Sequence, residues 1–215
     1  MAITALNTAA TGLKALSTRI DVIANNLANA ETTAFKRQRV NFEDLLYLTK
    51  RHPGALNATD DAAPAGIQVG LGVRVSNTQL DLEVGSLEQT NLPLDVAIVG
   101  SGFFKVEVAE GFGDGVAFTR NGNFFRNNEG DLVLGIGDGY RLDPPINIPQ
   151  DVPADTITIS ENGRVTGLQP GQIEPTEFGQ LELVRFVNPQ GLRLLGGSLY
   201  METEASGQAL TADPG

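Results

Sequence analysis

The chain has 215 residues and no cysteine, which excludes disulfide bonds, zinc–thiolate sites and thiol catalysis. Its formal net charge of -11 disfavours general binding to nucleic acid or to an anionic membrane surface. Hydrophobic residues make up 41% of the chain and charged residues 19%, which is typical of a folded protein with a real core. The length suits one large domain or two modest ones.

The first 30 residues carry a regular apolar stripe. Its members alternate between three- and four-residue spacing over almost four heptads, which is the a/d pattern of a coiled coil. They are Leu6, Ala9, Leu13, Leu16, Ile20, Ile23, Leu27 and Ala30. A helix that lies on its own domain can show the same periodicity. The narrowness of the stripe favours an interface with another helix.

The rest of this segment is poor in helix-forming residues, because Asn, Thr, Ser and Gly are frequent in it. A helix of this composition is marginal when isolated. Burial of its Leu and Ile side chains at about 1.5–3 kcal/mol each would contribute on the order of 10 kcal/mol, before the cost of ordering. The remaining sequence offers no matching stripe, so we expect the partner to be another chain or a segment that this sequence does not contain. The predicted assembly interface consists of Leu6, Leu13, Leu16, Ile20, Ile23 and Leu27.

The sequence changes character after Tyr47. Segment 48–66 is polar and contains several Pro and Gly residues, which predicts a loop or linker. Beyond it, short strand-like runs alternate with turn signals, and Asn121-Gly122 and Asn162-Gly163 predict tight hairpin turns. We therefore predict a mainly β fold with an N-terminal α-helix, the β body being antiparallel and made of one or two subdomains. The predicted segments are a heptad helix with a signature motif (1–47), a linker (48–66), a β body (67–205) and an unstructured end (206–215).

Candidate catalytic and ligand-binding groups are few. His52, the only histidine, lies in a turn-like sequence without a nearby nucleophile or carboxylate pair, so a surface position is favoured over acid–base catalysis. The Gly-rich GFGDG and GIGDG runs do not match a phosphate-binding loop, and the ligand spacing of an EF-hand is missing. We predict no catalytic residue, no metal site and no cofactor. No stretch reaches the ~18 apolar residues of a membrane span, and the N-terminus lacks the features of a cleavable secretory signal.

The stretch DVIANNLANAETTAFKRQRVNFEDLLY, residues 21–47, strongly resembles the N-terminal signature of the bacterial flagellar rod and hook proteins. The matching residues are Asn25, Asn26, Leu27, Ala28, Asn29, Thr32, Phe35 and Lys36. The resemblance continues through DVAIVGSGFFKVEV, AFTRNGNFFRNNEGDLVLGIGDGYRL and LVRFVNPQGLRLLGGSLYMET, so it covers nearly the whole chain. Within this family, FKRQRVNFEDLLYLT and GIQVGLGVRV are most similar to distal rod members, and proximal rod and hook subunits are the near relatives.

The resemblance implies a structural, self-assembling subunit of the flagellar basal-body rod, without enzymatic activity. Such proteins form a tubular helical drive shaft between motor and hook, with terminal helices in an inner layer and β domains outside. The implied partners are further copies of the chain and other rod, hook and ring proteins, with neither nucleic acid nor direct membrane insertion. The resemblance also implies type III export without a cleavable signal and a place in the basal body, spanning the periplasm. From another class, a β-domain binding module or adhesin with a helical stalk is the alternative.

The resemblance also suggests roles for the signature residues. Asn25, Asn26 and Asn29 are expected to bond the last carbonyls of the helix or neighbouring backbone, although simple helix termination is an alternative for each. Phe35 and Phe42 are expected to anchor the helix layer to the β body, or else to form ordinary local core. Family members usually continue into a C-terminal helix that pairs with the first. This sequence ends in TADPG, so we expect a truncated form or a product that lacks half of its inner layer.

Overall fold

The computed structural model describes residues 2–54, 62, 64–109, 115–212 and 214. Its contacts divide the chain into two compact units. Unit 1 comprises Met1–Thr32 and Lys36–Leu82, and unit 2 comprises Thr33–Phe35 and Glu83–Gly215. A single long α-helix comes first, and antiparallel strands follow in both units. This arrangement confirms the predicted mainly β class with an N-terminal helix.

Unit 1 consists of the helix and one long two-stranded ribbon. Helix α1 spans Ala2–Ala28. Among its described residues, the strands of this unit are β1 (Gln38–Asp44), β2 (Tyr47–Arg51), β3 (Ile67–Gly70) and β4 (Val73–Leu80). Strand β1 pairs with β4, and β2 pairs with β3, both antiparallel. The two pairs form one ribbon because Leu45 donates to Gly72 at 2.9 Å and Leu71 donates to Leu46 at 3.0 Å through their backbones.

The hydroxyl groups of three threonines in helix α1 are bonded within the helix. Thr8 donates to the carbonyl of Thr4 at 2.9 Å, Thr11 to the carbonyl of Thr8 at 2.8 Å, and Thr18 to the carbonyl of Lys14 at 3.3 Å. A hydroxyl that bonds the preceding turn does not draw the backbone into a competing turn. The helix is therefore compatible with a composition that propensity alone disfavours.

Unit 2 is built from eleven short strands and two 3-10 turns within the described residues. The strands are β5 (Phe104–Glu107), β6 (Val116–Thr119), β7 (Phe124–Arg126), β8 (Leu132–Leu134), β9 (Thr158–Ile159), β10 (Arg164–Gly167), β11 (Thr176–Gln180), β12 (Leu183–Arg185), β13 (Arg193–Gly196), β14 (Leu199–Met201) and β15 (Leu210–Ala212). The 3-10 turns are Ala154–Thr156 and Pro189–Gly191. The sheet orders are β13-β14-β6-β5, β11-β10-β9, β7-β8 and β12-β15.

A single hydrophobic core holds these sheets together. Val106, Leu132 and Val165 from three different sheets are almost fully buried in it. The proline-rich segment DPPINIPQDVP contributes Ile148 and Val152 to the same core. This segment is therefore part of the interior of unit 2 and does not separate two subdomains.

The two predicted Asn-Gly hairpins have different outcomes. Asn162-Gly163 connects the paired strands β9 and β10, and Gly163 has the positive φ of 77° that such a turn requires. The prediction at Asn121-Gly122 is wrong, since β6 and β7 belong to different sheets and neither residue has a positive φ. Gly122 is needed for another reason, because a Cβ there would lie 1.9 Å from the carbonyl oxygen of Val96.

The structure differs from the predicted segment boundaries at both ends of the β body. Within segment 48–66, strand β2 continues the ribbon, and residues 55–61 and 63 lie outside the described part. Strands β3 and β4 belong to unit 1 and not to the body. In segment 206–215, strand β15 pairs with β12. These strands are three to eight residues long, which is too short for a periodicity that separates them clearly from loops.

Candidate assembly interface

Helix α1 packs on the β1–β4 part of the ribbon through a row of mostly small side chains. The small-residue row consists of Thr8, Thr11, Gly12, Ala15, Thr18, Val22 and Asn26, all buried or half-buried. Ala15 is only 5% exposed. The expectation that this chain contains no partner for the helix is therefore wrong for this face. Thr, Gly and Ala give no hydrophobic periodicity, so the sequence pattern did not reveal the row.

The close approach of helix and ribbon depends on Thr11 and Gly72. The N–H of Val73 donates to the Thr11 hydroxyl oxygen at 3.4 Å. A Cβ on Gly72 would lie 2.2 Å from the same oxygen, and Gly72 has a φ of +125°. Only glycine combines that backbone conformation with the space available there.

The predicted apolar stripe lies on the outside of the helix. Leu6, Leu13, Leu16, Ile20, Ile23 and Leu27 are between 50% and 76% exposed. Ile3 is also exposed and widens this face, although it falls one residue off the strict heptad spacing. Contiguous rows of large exposed aliphatic side chains are uncommon on the surface of soluble monomers. We call the six predicted residues the exposed stripe.

Asn26 connects the end of α1 to the start of the ribbon. Its Nδ2 donates to the carbonyl of Gln38 at 2.8 Å, and the N–H of Gln38 donates to its Oδ1 at 3.0 Å. Both polar atoms of the amide side chain are thus bonded to one backbone residue of β1. A side chain with only acceptors, or with none, cannot reproduce this pair.

Asn25 and Asn29 close the last turn of the helix. The Nδ2 of Asn29 donates to the Asn25 carbonyl at 2.9 Å and lies 3.2 Å from the Asn25 Oδ1. The hydroxyl of Thr32 donates to the Oδ1 of Asn29 at 3.2 Å. The left-handed residue that follows the helix is Ala34, with a φ of 58°, and not one of the asparagines. The asparagines therefore act here through their side-chain amides.

The aromatic and basic signature residues lie in different units. Phe35 is half-buried and belongs to unit 2, where the neighbouring Thr33 carbonyl accepts a bond from the Ser198 hydroxyl at 3.2 Å. Lys36 is half-buried and belongs to unit 1. Phe42 in β1 is 40% exposed and lies beside the helix. Its role as an anchor remains a prediction, as does that of Phe35.

In unit 2, the residues that carry the resemblance have structural roles. The guanidinium of Arg120 donates to the carbonyls of Gly100 at 2.5 Å and Gly102 at 3.2 Å, and its Cζ lies 5.7 Å from the ring centre of Phe103. Burial lowers the pKa of Arg120. Burial also raises the pKa of Tyr200 to about 12. The Arg120 guanidinium fixes the loop before β5, and both side chains belong to the interior.

Comparisons with known proteins match two regions of the chain, the helix with the residues that follow it and part of unit 2. A family profile described as "Flagella basal body rod protein" matches residues 6–36, and one described as "Flagellar hook protein FlgE/F/G D1 domain" matches residues 97–167. The flagellar basal-body rod protein FlgG of Borreliella burgdorferi is 42% identical over 98% of this chain and 78% of its own length. FlgG of Caulobacter vibrioides is 42% identical over 98% and 78%, and FlgG of Bacillus subtilis 35% identical over 94% and 74%. The chain belongs to the flagellar basal-body rod protein family.

Membership in this family makes the chain a structural subunit of the flagellar basal body and not an enzyme. The first matched region covers the exposed stripe together with Asn25, Asn26 and Asn29. The second covers the core strands β5 to β10 of unit 2. The two matches therefore fall on two separately packed parts of this rod protein, the helix and the body.

His52 lies exposed just after β2. No group of three or more His, Asp or Glu side chains that could hold a metal ion is found among the described residues. Within the same residues, no helix has the length and apolar character needed to cross a membrane. The exposed stripe is the surface with the clearest functional meaning.

Proposed function

We propose that this rod protein is a distal rod subunit that polymerises with copies of itself into a tubular helical drive shaft between motor and hook. The exposed stripe carries the proposal. Its six large aliphatic side chains are at least half exposed although α1 already contacts the ribbon, so a partner is needed to cover them. Covering them would supply on the order of 10 kcal/mol before the cost of ordering and association.

The two faces of α1 give this proposal its geometry. The small-residue row fixes the helix on its own ribbon, while the heptad spacing of the exposed stripe fits the knobs-into-holes packing of another helix. A subunit of this kind presents the same helix surface in every copy. When the same contact repeats with a rotation about an axis and a translation along it, the subunits form a helical tube.

We also propose that the ribbon beyond β1 contacts an adjacent subunit and stiffens the shaft. Leu48 and Val69 are opposite each other in the β2–β3 register, and both are exposed. Ile67 extends the same apolar face, because side chains two residues apart in a strand share a face, and Leu46 just before β2 is exposed as well. This face lies in and beside the segment for which the sequence predicts a linker.

The route to the assembly site follows from the same proposal. We infer that the chain is exported through the flagellar type III apparatus without a cleavable signal and that the assembled rod spans the periplasm. A helix that gains much of its stability from assembly is compatible with passage in an unfolded state. The absence of cysteine also makes folding independent of the redox state on either side.

Incorporation of stripe variants into basal bodies tests the proposed assembly. Leu16→Asp combined with Ile20→Asp places two charges in the exposed stripe, and we expect this variant to fail to incorporate while unit 2 stays folded. The matched control is Ser17→Asp with Ala24→Asp, at exposed helix positions outside both the stripe and the small-residue row. Normal incorporation of the stripe variant would show that this surface is not used for assembly.

A further inference from the structure

Unit 1 has a second open surface, beside strand β1. A groove of about 390 Å³ lies between α1 and β1. Val22, Ile23, Val40 and Phe42 give it apolar walls. Two arginine side chains also line it. We call this space the β1 groove. It is formed by residues of unit 1 alone, and its aromatic wall is partly accessible to solvent.

The groove contains one edge of strand β1, and among the described residues this edge is bonded at Gln38. Strand β1 pairs with β4 on its other side. At Gln38, the backbone N–H and C=O both bond the amide of Asn26. Successive residues of an antiparallel strand direct these groups to alternate sides, so those of Val40 point the same way as those of Gln38. Asn26 therefore imitates one residue of a neighbouring strand, and the next position along that edge opens into the groove.

We propose that segment 83–92 of a second copy docks in the β1 groove and pairs with this edge of β1. The inference rests on the proposed self-assembly. The segment, EVGSLEQTNL, contains neither helix nor strand, as a peptide that adds to a sheet edge requires. Its Leu87 is 60% exposed, and Val84 and Leu92 are exposed as well. In an extended strand Val84 and Leu92 share one face, which matches the apolar walls of the groove, and Leu87 lies on the other face.

Charge complementarity selects this occupant. The groove is lined by Arg19 and Arg39, and the segment carries Glu88 next to Leu87. The charges of the two units also differ. Unit 1 has eight Lys and Arg residues and seven Asp and Glu residues, whereas unit 2 has seven Lys and Arg residues and nineteen Asp and Glu residues. Unit 1 is thus almost neutral and unit 2 strongly acidic, so contact between units 2 of two copies is disfavoured relative to contact between unit 2 and unit 1. A head-to-tail contact of this type generates open helical assemblies.

Cysteine cross-linking between two copies tests the contact, because the natural chain contains no cysteine. Full-length chains carrying Val40→Cys and Leu87→Cys are mixed, and a short bismaleimide is added under conditions in which the chain polymerises. We expect a covalent dimer that contains one chain of each kind. The control mixes Val40→Cys with Ile173→Cys, a position that is 96% exposed and outside the segment, and should give no dimer above background.

Charge-reversal variants test whether the arginines of the groove and the glutamate of the segment attract each other. Arg19→Glu should lower the yield of the Val40–Leu87 dimer roughly tenfold by placing like charges opposite each other, and adding Glu88→Arg should restore it. Lys14→Glu, on the same helix but outside the groove, should leave the yield unchanged. A chain that polymerises without forming the mixed dimer overturns this inference and leaves the proposed function intact. A chain that does not polymerise at all overturns both. A link formed within one chain carrying both cysteines, diluted into excess natural chain, also overturns it.

Discussion

Asn26 and Gln38 form a reciprocal pair in which an amide side chain bonds both polar groups of one backbone residue, at 2.8 Å and 3.0 Å. The pair links positions twelve residues apart and fixes where the chain leaves the helix to begin the ribbon. The signature asparagine is therefore a connection between two elements as well as part of a helix end. Its chemistry also leads to a specific substitution test.

Replacing Asn26 by Asp removes the donor and places a carboxylate against the carbonyl of Gln38. We expect the docking of α1 on the ribbon to weaken by about 1–3 kcal/mol, since a buried or half-buried acceptor loses its partner. Hydrogen exchange of the helix should accelerate in the monomer, while exchange in unit 2 stays the same. Asn7→Asp, at an exposed helix position, is the control. Unchanged exchange in the Asn26→Asp variant would contradict a connecting role for the pair.

Gly72→Ala tests the close contact between ribbon and helix. The new Cβ would meet the Thr11 hydroxyl at 2.2 Å, and the φ of +125° is unfavourable for alanine. We expect a loss of unit 1 stability of about 1–3 kcal/mol, measured by chemical unfolding. Adding Thr11→Ala should recover part of this loss by removing the steric conflict. Gly85→Ala, where a Cβ meets open space, should have little effect. A similar effect of Gly72→Ala and Gly85→Ala would argue against the contact.

The stability of α1 in the isolated monomer should be low even though one face is docked. In the small-residue row only Ala15 is fully buried, so little apolar area is removed from water there. We expect residues 2–28 to exchange faster than the core strands of unit 2 in a verified monomer, and to become protected on polymerisation. Helix protection equal to that of the core before polymerisation would mean that assembly is not what stabilises α1.

The apolar face of the ribbon should contribute to the stiffness of assembled rods. Leu48→Ser combined with Val69→Ser removes two opposing side chains from that face. We expect rods that still form but bend more easily, as a shorter persistence length in electron micrographs. The matched control is Thr49→Ser with Gln68→Ser, the neighbouring cross-strand pair on the opposite face. Equal stiffness of the two variants would show that the apolar face does not contact an adjacent subunit.

The sequence predicted the exposed stripe because large aliphatic side chains at three- and four-residue spacing are a strong signal. It did not predict the small-residue row, since residues such as Thr11, Gly12 and Ala15 pack by allowing close approach and not by their own apolar area. The same distinction explains the Asn-Gly turns. Gly163 is required by its positive φ, which turn rules anticipate, whereas Gly122 is required by the proximity of Val96, which only the fold reveals.

The ribbon is not evident from the sequence for a different reason. Strands β2 and β3 are five and four residues long, and the polar, Pro- and Gly-containing sequence between them suggested a linker over the whole of 48–66. Their pairing is set by the register that begins with β1 and β4 and continues through residues 45–46 and 71–72. Such a register depends on contacts between segments that are distant in sequence, which local patterns do not record.

Thiol labelling of the exposed stripe before and after polymerisation tests the central claim most directly. Ile20→Cys and Ser17→Cys each introduce a single thiol on the solvent-exposed side of α1. In monomers, both should react with a maleimide at similar rates. In assembled rods, we predict that labelling of Ile20→Cys slows by roughly tenfold or more, because the stripe is then buried against another helix, while Ser17→Cys changes much less. Equal labelling of Ile20→Cys in monomers and assembled rods would contradict assembly through the exposed stripe.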